Sequence, residues 1–171
     1  MLLIREEMPT DAGPIRSLNE QAFGGSQEAN IVDKLRDACP DLLSLVAVLR
    51  DRVVGHILFS PVALECRGGP IMGMGLAPMA VLPRHQRKGI GSKLVERGLH
   101  FLKQRSCPFV IVLGHPTYYP RFGFAPASRH GIRSQWDGVP DEAFMVLILD
   151  EPRMHDASGI ARYRPEFDEA L

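Results

Sequence analysis

A basic, glycine-containing loop is the part of this sequence whose residues are best suited to chemistry. The segment from Met79 to Ser92 reads MAVLPRHQRKGIGS, an apolar strand that runs through a loop into the start of a helix. The first turn of a helix carries unpaired N–H groups and a partial positive charge. Glycine lets the backbone come close to a phosphate. The segment therefore predicts a site for a pyrophosphate group.

The distribution of charge supports an anion site. The chain has 20 basic and 20 acidic residues, yet no Asp or Glu lies between Cys66 and Val95. The basic residues of that stretch are Arg67, Arg84, Arg87, Lys88 and Lys93. A basic run alone is typical of a solvated turn, but the glycines and the following helix favour anion binding. The zero net charge gives no reason to expect nucleic acid or a membrane as a partner.

The order of the residues in the loop decides between phosphate motifs. The P-loop order is absent, and Gly89-Ile90-Gly91 is followed by Leu94 where a dinucleotide motif needs glycine. Gln86-x-x-Gly89-x-Gly91 instead resembles the Q/R-x-x-G-x-G/A signature of GCN5-related N-acetyltransferases, the GNAT family. A second segment, YPRFGF from Tyr119, resembles the Y-x-x-x-G-F segment of that family. The stretch LGHPTYYPRFGF further resembles its YhbS-like bacterial subgroup, which has no agreed general substrate.

The resemblance implies a fold and a cosubstrate. The fold is α/β (α+β in some schemes), with a mixed, mostly antiparallel central sheet, flanking helices and a βαβ unit that binds CoA. The cosubstrate is acetyl-CoA, and no metal is implied. The strand holding Val81 and the strand starting at Phe109 would separate to admit it. Backbone groups of Met79, Ala80 and Val81 would pair with the pantetheine arm, and an amide near Ala80 would polarise the thioester carbonyl. The residues that would hold the pyrophosphate are Gln86, Arg87, Lys88, Gly89, Ile90, Gly91 and Ser92.

The resemblance also implies an acid, Tyr119, which would protonate the departing CoA thiolate. Tyr118 is the alternative acid. A lysine-like amine has a pKa of about 10.4, so forming its neutral state at pH 7 costs about 5 kcal/mol, and a general base is expected. No carboxylate lies on the strand from Ile71 to Val81. His115 is the first candidate base and Glu28 the second. Without a catalytic role, His115 would be a loop residue that bonds its own backbone, and Glu28 would lie on a solvated helix face.

The periodicity predicts strands and helices in an order that suits this fold. We expect strands over residues 2–5, 43–49, 53–64, 71–81, 109–113 and 144–149. We expect helices over about residues 11–23, 28–37 and from 90 onward. Thr10 or Asp11 is expected to cap the first helix, Asp51-Arg52 to form a turn, and Pro61 to mark a bend or edge. No structure is predicted after Pro152.

Length and composition indicate one soluble domain over residues 1–171, and the resemblance implies that it is an N-acetyltransferase domain. Three cysteines, no signal-peptide pattern and no long apolar run favour a cytoplasmic protein. The resemblance implies a possible homodimer. We expect acetyl transfer from acetyl-CoA to a primary amine of a small molecule or peptide, by direct attack in a ternary complex. The alternative is a non-catalytic acyl-CoA-binding module, which the missing strand carboxylate favours.

Overall fold

The computed structural model describes residues 1–170, which form nine strands and four α-helices. The strands are β1 (Leu2–Glu6), β2 (Leu43–Leu49), β3 (Arg52–Cys66), β4 (Gly69–Val81), β5 (Phe109–Leu113), β6 (Ala125–Pro126), β7 (Ile132–Ser134), β8 (Phe144–Ile148) and β9 (Gly159–Arg162). The helices are α1 (Ala12–Phe23), α2 (Gln27–Ala38), α3 (Ile90–Gln104) and α4 (Glu151–Met154). Short 3-10 turns connect several of them.

The chain divides into two compact units. The first comprises Met1–Ser60 and Ala77–His100 with the segment that starts at Pro165, and the second comprises Pro61–Leu76 and Phe101–Arg164. In the first unit β1 pairs antiparallel with β2, and β2 pairs antiparallel with β3. In the second unit β5 pairs parallel with β4 and antiparallel with β8. The predicted single domain over the whole chain stays a prediction.

Helices cover both faces of the sheet in the first unit. Neighbouring residues of a strand point to opposite faces. A Cβ on Gly55 would lie 3.0 Å from the Leu94 side chain of α3, whereas the ring of His56 lies 3.4 Å from Asn19 of α1. The helices α1 and α3 therefore pack on opposite faces of β3.

A close contact between Gly98 and the Phe59 ring lets α3 pack tightly against the sheet. A Cβ on Gly98 would lie 2.3 Å from the Phe59 ring, well inside the range of real contacts. Leu94 and Val95 are fully buried on the same helix. The helix that begins at the glycine loop is thus held at a fixed distance from β3, because the ring of Phe59 fills the space left by Gly98.

A partly buried polar network, in which Asn19 and His56 are fully buried, lies beneath α1 and α2 on the other face. Ser44 donates to Glu7 Oε1 at 2.8 Å and lies 2.9 Å from His56 Nε2, while Asn19 Nδ2 lies 3.4 Å from His56 Nδ1. Asn19 Nδ2 also donates to the carbonyl of Ile15, so the amide nitrogen faces the ring and Nδ1 accepts. His56 is then neutral, with its proton on Nε2 and donated to Ser44. Arg36 closes the network through Glu7 at 2.6 Å.

The second unit is built around β5. Its residues 110–112 pair with Met74, Gly75 and Leu76 of β4, and β8 pairs with all five of its residues. Beyond these, β6 pairs with β8, and β9 pairs with β3 and with β7. The ring of Phe109 occupies the space next to Gly73, where a Cβ would lie 2.6 Å away.

The predicted fold class is confirmed: the sheet is mixed and mostly antiparallel, and helices flank it. The strands β4 and β5 are parallel, and α3 lies between them in the chain. Two local predictions are wrong. The two-residue turn is Arg50-Asp51, both at positive φ (50° and 61°). Asp11 gives α1 no side-chain cap, because its carboxylate accepts from the Met8 N–H and from Arg5. Pro61, predicted to mark a bend or edge, lies within β3.

The position of Pro61 has a simple reason. On β3, pairing with β2 ends at Phe59 and pairing with β9 begins at Ala63. Pro61 lies in the gap, where its missing N–H costs no ladder bond to either strand. Strands β6, β7 and β9 and helix α4 were not predicted. Within residues 1–170 no helix is long and apolar enough to cross a membrane.

Candidate active site

The glycine loop connects β4 to α3 in the first unit. After Val81 come a 3-10 turn over Pro83–His85, a turn at Gln86 and Arg87, and the first residue of α3, Ile90. Gln86 Nε2 donates to the Val81 carbonyl at 2.9 Å, which ties the loop back to the end of its strand. Arg87 and Gly89 have positive φ values of 62° and 84°. At Gly89 this conformation favours glycine.

The geometry of the loop suits a phosphate ligand. Arg87, Lys88 and Gly89 are exposed, whereas Ile90 is buried and anchors the helix start. A Cβ on Gly89 would meet no atom within 4 Å, so the space beside this backbone is open. Lys93 donates its N–H to the Gly89 carbonyl at 3.1 Å, which is a hydrogen bond of the first helical turn. At a helix start, the N–H groups that precede the first such bond point out along the helix axis. Gly91 and Ser92 lie in that first turn, half-exposed.

The three strand residues expected to face the pantetheine arm end β4. Met79 and Val81 are half-buried, and Ala80 is 4% exposed. They follow the residues of β4 that pair with β5, Met74 to Leu76. Their pairing with the cosubstrate, and the separation of β4 from β5, stay predictions.

Tyr119 begins a 3-10 turn, Tyr119–Phe122, in the second unit. Its ring is 7% exposed and makes edge contacts with Tyr118, at 5.1 Å between centroids, and with Phe124, at 5.7 Å. Burial raises the pKa of Tyr119 to about 12, with a smaller contribution from Tyr118. The hydroxyl therefore keeps its proton throughout the physiological pH range.

The neighbouring tyrosine is held differently. Tyr118 is half-exposed, and its ring is turned 87° from that of Tyr119. The guanidinium of Arg121 lies over the Tyr118 ring at 4.4 Å, and Arg121 Nε donates to the Tyr118 carbonyl at 2.8 Å. Tyr118 thus presents a face to a cation, whereas Tyr119 is enclosed by aromatic edges.

The two candidate bases lie in different units. His115 has an exposed side chain in the second unit, and its carbonyl accepts from the N–H groups of Tyr118 (3.1 Å) and Tyr119 (3.4 Å). The structure therefore brings His115 and Tyr119 into one turn. Glu28 lies in the first turn of α2 in the first unit and is half-buried. The roles of both as bases stay predictions.

Sequence reasoning missed Gly114, which precedes His115. A Cβ there would lie 2.5 Å from Cε2 of Tyr119. The available signal was a glycine directly after a buried strand, five residues before the tyrosine. Among the described residues, no group of three or more His, Cys, Asp or Glu side chains is placed to hold a metal ion.

Comparison with known proteins decides the family. Residues 4–127 match the family model described as the acetyltransferase (GNAT) domain. This chain belongs to the GNAT acetyltransferase family. The uncharacterized N-acetyltransferase YhbS of Escherichia coli (strain K12) is 34% identical over 168 residues, 98% of this chain and 99% of YhbS. A second relative in that strain, the uncharacterized N-acetyltransferase YjhQ, is 41% identical over 122 residues, 70% of this chain and 67% of YjhQ. The predicted family resemblance is confirmed, and the chain is an N-acetyltransferase.

Two solved GNAT structures resemble this chain over nearly its whole length. Escherichia coli YhbS in complex with CoA has a TM-score of 0.90 at 34% identity, covering 98% of this chain and 92% of that one. A GNAT family acetyltransferase from Brucella melitensis in complex with acetyl-CoA has a TM-score of 0.80 at 36% identity, covering 98% and 99%. Both similar proteins therefore bind the CoA moiety on a fold shared with this GNAT chain.

Proposed function

We propose that this chain transfers the acetyl group of acetyl-CoA directly to a primary amine while both substrates are bound. The observation that carries the proposal is the glycine loop from Gln86 to Gly89, which is exposed and lies between β4 and the buried start of α3. Its open backbone and basic side chains fit a pyrophosphate. The CoA and acetyl-CoA complexes of the two similar proteins support the choice of cosubstrate.

The loop residues divide their roles by chemistry. The backbone amides from Arg87 to Ser92 would hold the pyrophosphate, with the side chains of Arg87 and Lys88 adding positive charge from the rim. Gln86 would act indirectly: its side chain donates a hydrogen bond to the Val81 carbonyl and fixes the loop to the end of the strand. The strand residues Met79 to Val81 would receive the pantetheine arm and polarise the thioester carbonyl.

Direct attack is favoured because Cys107 and Cys39 are poorly placed to form an acyl-enzyme. A cysteine nucleophile must be a thiolate. Burial raises the pKa of the Cys107 thiol, which bonds the Phe109 carbonyl at 3.2 Å, and Cys39 is 5% exposed. In the direct reaction the amine nitrogen forms a bond to the acetyl carbon and the C–S bond breaks. The electron pair stays on sulfur, and the nitrogen loses a proton.

Tyr119 is the group we assign to the departing sulfur. A phenol with pKa about 12 facing a thiol with pKa about 8.5 disfavours complete proton transfer by about 5 kcal/mol. The hydroxyl therefore acts first as a hydrogen-bond donor to the developing thiolate. A hydrogen bond to a charged group contributes about 1.5–3 kcal/mol, equivalent to about 10- to 150-fold in rate. Burial strengthens this role, because water competes less for the sulfur.

The amine must lose its proton to a base or reach the site already neutral. We assign His115 this role, directly or through a water molecule, because it shares a turn with Tyr119 and its side chain is exposed. Glu28 is the second assignment. The acceptor is a primary amine of a small molecule or peptide, since the balanced charge of the chain gives no attraction to a highly basic tail.

The proposed assembly rests on the family resemblance, and the proposed location on the low cysteine content of the chain. We propose a cytoplasmic homodimer. A solution mass near twice the 19.0 kDa of one chain would support the dimer, and a mass of one chain at micromolar concentration would contradict it.

The replacement Tyr119→Phe tests the proposed function. The ring stays, so acetyl-CoA affinity should change less than about twofold while kcat falls by about 10²-fold. The assay is free-thiol release from acetyl-CoA across a panel of polyamines, aminoglycosides and lysine peptides. Tyr118→Phe is the control and should have a milder effect. Full kcat in Tyr119→Phe would refute the role of Tyr119, and tight CoA binding without release on any amine would favour the binding-module alternative.

A further inference from the structure

Gly114 lies directly against the ring of Tyr119. It follows the last residue of β5, and its N–H donates to the Ala143 carbonyl at 2.9 Å, which fixes its backbone. A Cβ at this position would lie 2.5 Å from Cε2 and 3.1 Å from Cδ2 of the ring. The φ angle of Gly114 is outside the left-handed region, so the backbone itself does not require glycine. The close approach of the ring is what requires it.

The ring of Tyr119 has little room to move away. Besides Gly114, the ring contacts Tyr118 edge-on at 5.1 Å, Phe122 at a tilt at 6.4 Å and Phe124 edge-on at 5.7 Å, measured between ring centroids, and the residue is 7% exposed. Phe124 is itself 3% exposed. In a packed aromatic cluster, a displacement of one ring must move its neighbours. The gap at Gly114 therefore determines where the ring lies.

We propose that Gly114 is a positioning residue, which sets the place of the Tyr119 hydroxyl for acetyl transfer. The inference rests on the proposed role of Tyr119. Relieving a 2.5 Å contact to an ordinary 3.4 Å requires a movement of about 0.9 Å (3.4 minus 2.5). Cε2 is bonded to the carbon that bears the hydroxyl, so the hydroxyl moves with it. A misplacement of about 1 Å at a reacting group can lower the rate by about 10²-fold.

The test is Gly114→Ala, with Gly68→Ala as the matched control. Gly68 is exposed, has no atom within 4 Å of an added Cβ and is also outside the left-handed region. Rates are measured with the amine that gives the fastest thiol release from acetyl-CoA, or with water as acceptor if no amine exceeds it. We expect kcat to fall by about 10- to 100-fold in Gly114→Ala, with the KM for acetyl-CoA within about twofold. Gly68→Ala should match the wild type.

A double-mutant cycle separates positioning from general damage to the fold. If Gly114 acts through the hydroxyl, adding Gly114→Ala to Tyr119→Phe should lower kcat no further. An equal fall in both backgrounds would overturn the inference, and so would full kcat in Gly114→Ala when Tyr119→Phe is impaired. Full kcat in Tyr119→Phe alone would refute the proposed role of Tyr119 instead. If Gly114→Ala does not fold, the change is made in a Phe124→Leu background, where the smaller side chain gives the Tyr119 ring more room. The kcat of this double variant is compared with that of Phe124→Leu alone, and the same fall is expected.

Discussion

His56 makes the stability of the first unit depend on pH. Its side chain is fully buried, and burial lowers its pKa from 6.5 to about 4. Among nearby charges, Glu7 opposes this shift, Arg36 adds to it and Asp11 opposes it. The folded protein therefore holds His56 neutral under conditions where an unfolded histidine takes up a proton.

The sign and size of the effect follow from proton linkage. Between pH 6.5 and 4 the unfolded chain binds a proton at this position and the folded chain does not, so the free energy of unfolding falls as the pH falls. The pKa values of 6.5 and about 4 give a loss of about 2 kcal/mol between pH 7 and pH 5, and about 3 kcal/mol by pH 4. The pKa values of Glu7 and Asp11 are lowered from 4.5 and 3.8, so their contributions are lost mainly below pH 5.

Urea unfolding at pH 7, 6 and 5 measures this loss directly. His56→Gln should be less stable than the wild type at pH 7, because it disturbs the network, but its free energy of unfolding should change by about 2 kcal/mol less between pH 7 and 5. The control is His155→Gln, whose side chain is 83% exposed and which should keep the wild-type dependence. The same pH dependence in the wild type and in His56→Gln would refute the reasoning.

Three further changes probe the loop, the helix and the base. Gly89→Ala places a side chain at φ 84° beside the open backbone and should weaken acetyl-CoA binding, measured by calorimetry, at least about tenfold, or about 1.4 kcal/mol. Its control is Gly13→Ala, which has open space at its Cβ and an ordinary φ and should bind acetyl-CoA normally. Gly98→Ala should lower the free energy of unfolding by about 1–3 kcal/mol in urea, and Phe59→Leu in the same chain should restore part of it; no restoration would argue against the ring contact. His115→Gln should lower kcat/KM for the amine at pH 7 by about 10-fold or more, and the loss should shrink toward pH 10 as the amine loses its proton unaided. A loss independent of pH would exclude a base.

The long elements could be predicted because their patterns are local. Helix α3 begins at Ile90 as its apolar face indicated, and β5 matches the predicted residues 109–113. The strands β6, β7 and β9 have two to four residues each, too few to show a period. They exist because they pair with strands distant in sequence, such as β9 with β3. No local pattern reports such a pairing.

The candidate site divides in the same way. The loop from Gln86 to Gly91 could be read from the sequence because its residues are contiguous and their spacing is the signal. The requirement at Gly114 could not, because it comes from the ring of Tyr119 entering the space of a missing side chain. The alternative between Tyr118 and Tyr119 likewise depends on side-chain direction, and the structure encloses Tyr119 while leaving Tyr118 half-exposed.

The polar network around His56 also fixes the register of β2 against β3. Apolar residues on both faces would tolerate a shift of one residue, because leucine and valine pack in many neighbourhoods. Such a shift would turn Ser44 to the opposite face and leave the His56 N–H and the Glu7 carboxylate without it. An unsatisfied buried polar group costs about 1–3 kcal/mol, so each misaligned pairing would be disfavoured by that amount in addition to any loss of packing. The polar residues thus select a single register among several that the hydrophobic pattern alone would permit.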